Sequence, residues 1–147
     1  MEKISNGIQI AWELAAKEAS YSGFAEIEPG HFFLSILKLA DLADKIGTEY
    51  PSLNPEIVSE VTKETEPVRQ VFIDMKYDIT AVRRSFRELI RKDNIAEDIG
   101  VLHRSDESRN LFEQLFSGKY RNNPPQILHF ILQVCTFMIK TIMGNRF

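Results

Sequence analysis

The chain reads as an all-α protein, and three observations predict it. Apolar residues recur at three- and four-residue steps in successive stretches. No stretch of useful length alternates with period two, as a half-buried strand would. Clusters of Gly, Pro, Asn and Ser separate the periodic stretches at the places where helices stop and start.

From Ser5 to Ser20, Ile8, Ala11, Trp12, Ala15 and Ala19 form one helical face, with Lys17 and Glu18 facing elsewhere and Gly23 as the stop. Alanines spaced by four let a second helix approach closely, and Trp12, in register with them, is read as core. An extended entry carrying Ile27 leads to Glu28-Pro29-Gly30, which opens a second helix ending near Ala43 or Asp44. Proline suits a first turn, where its missing N–H has no intrahelical partner to lose. The run after His31 is apolar around most of the circumference, which makes this a central helix.

Residues 45–55 read as a loop, followed by a short polar helix from Pro55 to Lys63. Thr65-Glu66-Pro67 marks another helix start, with Val68, Val71, Phe72 and Met75 at helical spacing. Asp78 caps the next helix, whose Ile79, Val82, Phe86 and Leu89 form an apolar face. Its opposite side holds Arg83, Arg84, Arg87 and Arg91, a solvated face and the one basic patch of the chain. Residues 92–103 are polar and irregular. Ser105 then caps a helix with Asp106 and Glu107 in its first turn, Leu111, Phe112, Leu115 and Phe116 on its apolar side, and Gly118 at its end. Asn122-Asn123-Pro124-Pro125 opens a last helix lined by Ile127, Phe130, Ile131, Val134 and Met138 and widened by Leu128, Leu132 and Cys135.

At 147 residues the chain is one domain's worth, able to bury a core without staples. A net charge of -3 and a pI near 5.7 give no pull toward nucleic acid or an anionic membrane. A single cysteine, Cys135, within an apolar run is read as a buried structural thiol in a reducing compartment. The first residues lack a basic region followed by an apolar one, and the most apolar segment, 127–143, is interrupted by His129, Gln133 and Lys140. A cytoplasmic protein without a membrane span is expected.

Catalytic constellations are not legible. Phosphate-cradling loops place glycines ahead of a Gly-Lys-Ser/Thr sequence; here the Gly118-Lys119 pair precedes Tyr120, with Glu113 where the first glycine belongs. His31, His103 and His129 are too scattered for a metal motif, and Cys135 has no CxxC companion. Ser35 lies one turn after His31 without an orienting acid, and Glu26 and Glu28 are read as solvated or dipole-compensating. His31 is expected to cap its own helix or bond a neighbouring connection. No enzyme, cofactor or metal site is expected.

The two halves of the chain repeat. At an offset of 96 residues, Ala15 falls on Leu111, Ala19 on Leu115, Pro29 on Pro125, Phe32 on Leu128 and Ile36 on Leu132. Each unit is a helix, a Gly-containing connection and a Pro-opened apolar helix. Ala11, Ala15, Ala19, Gly23-Phe24, Ile27, Pro29 and the run His31 to Leu37 together resemble the repeat of the Clp ATPase N-terminal domain. Val68 to Phe72, Asp78-Ile79, Val82 and Leu89 are similar to the second helix pair of such a repeat, and His103 to Ser108 resemble the start of its second copy.

The resemblance implies one domain over 1–147: a first repeat over about 4–92 with an insertion at about 41–63, and a second, incomplete repeat over about 104–147. It implies a non-catalytic bacterial chaperone module that docks a protein adaptor or substrate peptide and serves an attached or separate AAA+ ring. Whether the chain is excised from such an ATPase or free-standing stays open, the short second repeat leaning toward excision. Arg84, Arg87 and Arg91 are the candidate partner-binding residues, attracting acidic segments. In some family members an acid before the motif's His helps bind phosphorylated arginine; the matching positions here are Gly30 and Gln126, so that chemistry is not expected. The alternative is a free-standing structural protein that self-associates through residues 124–143.

Overall fold

Ser5 begins the folded chain by accepting, through Oγ, the N–H of Ile8 at 3.2 Å, which caps a helix in a computed structural model describing residues 4–42, 45–90, 102–116, 129 and 131. This helix, α1, spans Asn6–Tyr21 and buries Ile8, Ala11, Leu14, Ala15 and Ala19. It ends as the glycine predicts. Gly23 sits at φ 79°, and the N–H groups of Gly23 and Phe24 reach back to the carbonyls of Ser20 (3.2 Å) and Ala19 (2.9 Å). Only a residue without a Cβ adopts that turn cheaply.

The extended entry is a two-residue strand, β1 (Glu26–Ile27), which leads into α2 (Pro29–Asp41). His31 is fully buried, and its Nδ1 accepts the Glu28 N–H at 2.8 Å, which closes the first turn of α2. The capping role expected of it is the observed one. Phe32, Leu34, Ile36, Leu37, Leu39 and Ala40 are all essentially inaccessible, so α2 is enclosed on several sides. Each large side chain of this kind contributes roughly 1.5–3 kcal/mol by leaving water.

The next segments depart from the sequence reading. Within the expected loop, Ile46–Glu49 form a four-residue helix, α3, because Ile46 is buried in the core. The two helices expected on either side of Lys63 are one, α4 (Pro55–Met75), capped by the Asn54 side chain on the Ile57 N–H at 2.9 Å. Pro67 lies inside it. Val61, Glu64, Thr65 and Val68 step by three, one and three on one buried face that runs through the proline and packs on α1 and α2. Burial of that continuous face outweighs the roughly 3 kcal/mol an interior proline costs. Val71 and Met75, expected on the apolar side, are exposed.

Helix α4 ends at Lys76, held at φ 60° while the Tyr77 N–H bonds the Phe72 carbonyl at 3.0 Å. Asp78 then caps α5 (Ile79–Ile90), its Oδ1 accepting from Thr80 N–H at 2.9 Å and Ala81 N–H at 3.3 Å. Ile79 and Val82 pack on the core, but Leu89 is 81 % exposed; Ile90 turns inward in its place, against Gly30.

His103–Arg104 form a second strand, β2, which pairs in parallel with β1, Glu26 opposite His103 and Ile27 opposite Arg104. The described residues are therefore mostly helical with one short strand pair, in keeping with the all-α class read from the sequence. Ser105 caps α6 (Asp106–Phe116) by accepting the Ser108 N–H at 3.2 Å, and Leu111, Phe112 and Leu115 are buried. The Ser108 hydroxyl donates to the Ile27 carbonyl at 2.7 Å, which ties α6 to β1. Residues 117–128 and the expected last helix, 129 and 131 apart, lie outside the described residues, as do Gly118, Cys135 and Arg91. Among the described residues no helix is long and apolar enough to cross a membrane.

Candidate protein-docking surface

Helix α5 presents two faces, and its arginines divide between them. Arg87 turns inward: Nη2 donates to Glu18 Oε2 at 3.1 Å, and Nε donates to Oε1 of the same carboxylate. Glu18 is only 8 % exposed, so its placement on an outward face of α1 is overturned. A planar fork matching two carboxylate oxygens makes this the strongest kind of protein ion pair. Arg83 also turns toward the body, its Nη2 lying 3.6 Å from Asp41 Oδ2 at the end of α2; Asp41 takes the Thr80 hydroxyl at 2.7 Å as well. These two arginines are therefore not a solvated row: they clamp α5 to α1 and α2. Arg84 is exposed.

One strip of the outer side is largely apolar. Ala81, Val82, Ser85, Phe86 and Leu89 line an open groove of about 340 Å³. Its inner wall is fixed, since the Phe86 ring meets Phe33 at 4.9 Å. Phe86 and Ile90 also cover Gly30, where an added Cβ would lie 3.3 Å from Ile90 Cδ1 and 3.4 Å from Phe86 Cε1. A carboxylate at this position would face hydrocarbon rather than a ligand, which gives a packing reason for the glycine.

A second polar feature caps the aromatic core. The Arg104 guanidinium lies over Trp12 at 4.3 Å and over Phe112 at 4.9 Å. The Trp12 and Phe112 rings are 4.8 Å apart, and Phe32 meets both edge-on. Trp12 is thus half-buried core, as expected, with a cation on its outer face. Burial, then the like charge of Arg109, lowers the Arg104 pKa from the usual guanidinium range, while Glu113 opposes the shift.

The remaining candidates are accounted for by local bonding or lie apart. Ser35 is buried and its Oγ donates to the Phe32 carbonyl at 2.8 Å. His103 is exposed in β2, away from the enclosed His31. Among the described residues no three His, Cys, Asp or Glu side chains are placed to hold one metal ion. Of what the sequence reading missed, Glu18 had a signal: it follows Ala11 and Ala15 at helical steps, so it belongs to the inner face. The Arg104 stack had none, because strand and helices meet there only in three dimensions. Comparison with protein-family models, with curated proteins and with solved structures gives no match.

Proposed function

We propose that the chain is a non-catalytic protein-recognition domain of the Clp N-terminal type, docking an adaptor or substrate segment for an AAA+ unfoldase. The observation that carries this is the open apolar groove on α5, with Leu89 and Arg84 both exposed. An amphipathic partner segment would seat apolar side chains against Val82, Phe86 and Leu89 and direct acidic ones at Arg84. Complementary charge would set selectivity and encounter rate more than affinity.

Two features support the family reading. Ala15 and Ala19 and their offset partners Leu111 and Leu115 are all buried. The strand pair also brings the start of the second unit, His103-Arg104, beside the Ile27 entry of the first. Phosphoarginine recognition is not part of the proposal, because Gly30 is paved by Phe86 and Ile90. The test is affinity capture with the whole chain against an Arg84→Glu/Leu89→Asp variant, with partners identified by mass spectrometry. Loss of an AAA+ component or its adaptor in the variant alone is expected; an unchanged set of captured proteins would overturn the docking site.

A further inference from the structure

Away from α5, a cavity of about 290 Å³ opens between the first half of α1, the segment following α3 and the first turn of α4. Its wall is hydrocarbon and aromatic: Ile10, Leu53, Ile57 and the ring of Tyr50, all wholly or partly buried. Its rim is polar, and Glu13 on α1 supplies the carboxylate. The Asn6 amide, also on the rim, is committed to Glu60 Oε2. Glu13 is exposed and makes no hydrogen bond or ion pair among the described residues.

This combination has a definite preference. An apolar wall ending at an anionic rim suits a side chain with a long hydrocarbon stem and a cationic head. A tyrosine face adds attraction for a cation lying over it. The field in the cavity has the right sign: burial raises the Tyr50 pKa first, and the charges of Glu49 and then Glu13 raise it further, so an anion is disfavoured where a cation would be held. The volume is at the lower limit of pockets that take drug-sized ligands, which suits one extended side chain rather than a cofactor.

We propose that this pocket receives a basic side chain, lysine or arginine, from a partner polypeptide. The stem lies along Ile10, Leu53 and Ile57, and the head group pairs with Glu13 beside the Tyr50 ring. The site is separate from the α5 groove and does not depend on it.

The test is an NMR titration of the full ¹⁵N-labelled chain with the blocked tripeptides Ac-Gly-Arg-Gly-NH₂ and Ac-Gly-Lys-Gly-NH₂. Their neutral counterparts carrying citrulline and norleucine are the controls. Saturable shifts centred on the amides of Ile10, Glu13 and Tyr50 are expected with the basic peptides. Glu13→Gln, at an exposed position that leaves folding intact, should weaken binding about fivefold, while the charge-matched Glu107→Gln at an exposed position on α6 leaves it unchanged. Equal shifts from the neutral peptides, shifts centred elsewhere, or a Glu13→Gln effect below about twofold would overturn the proposal.

Discussion

Replacing Arg87 by methionine keeps most of the hydrocarbon stem and removes the guanidinium that two oxygens of Glu18 share. The carboxylate left behind has only 11 % of its side chain exposed. Stranding one member of a fully buried pair costs about 3–5 kcal/mol, because its charge has lost both water and partner. Arg87 itself is 37 % exposed, so water can enter where the guanidinium was, and the expected loss is about 2 kcal/mol. For a chain of this length that lowers Tm by about 4–8 °C. Urea unfolding followed by far-ultraviolet circular dichroism reads the change directly. The double variant Glu18→Gln/Arg87→Met, with no stranded charge, should recover at least half of the loss. A single-variant loss below about 0.5 kcal/mol, or a double variant no better than the single, would refute the buried-pair account. Charge reversal at Arg87 would therefore damage the fold before it could test docking, whereas exposed Arg84 supplies a clean probe.

Other perturbations have equally definite outcomes. Gly30→Glu drives a charged side chain against Phe86 and Ile90 and should cost about 2 kcal/mol or more in the same unfolding assay, by overpacking and desolvation. Lys76→Gly relieves a side chain held at φ 60° and should raise stability by about 0.5–1 kcal/mol, read as a higher urea midpoint with unchanged slope. Tyr50 titrates above its ordinary 10.0, so the folded state retains that proton longer than the unfolded one. Its contribution is complete below about pH 10 and is lost as pH rises through the folded value, and Tyr50→Phe should flatten that part of the stability profile.

Local signals were legible and long-range partners were not. Gly23, Asp78 and Ser105, read as a stop and two caps, act through atoms within about five residues, which is why such signals can be read from a single sequence; Asn54, within the expected loop, caps α4 in the same local way. Helix α4 was divided because Pro67 carries a strong local start signal, while the packing of Val61 and Val68 that overrides it comes from other helices. Polarity misled in the same way on α5. A row of arginines at helical spacing looks solvated until Glu18, 69 residues earlier, and Asp41 are known to lie opposite. Leu89 is left to line the groove because Ile90 is the residue that meets Gly30, and periodicity does not distinguish two adjacent apolar residues at the end of a helix.

The bond from Ser108 to the Ile27 carbonyl joins residues 81 apart in sequence. Closing a loop of that length in an unfolded chain costs about 4 kcal/mol of chain entropy. The strand pair and its serine bonds return about 1 kcal/mol each, which together no more than offsets that cost and leaves no surplus to hold the loop shut alone. The ladder is therefore expected to assemble late, after α2, α4 and α5, which lie between its two ends, have packed on α1 and shortened the effective loop. Contacts at Ser108 then act mainly on the rate at which the finished molecule opens, and little on the rate at which it forms.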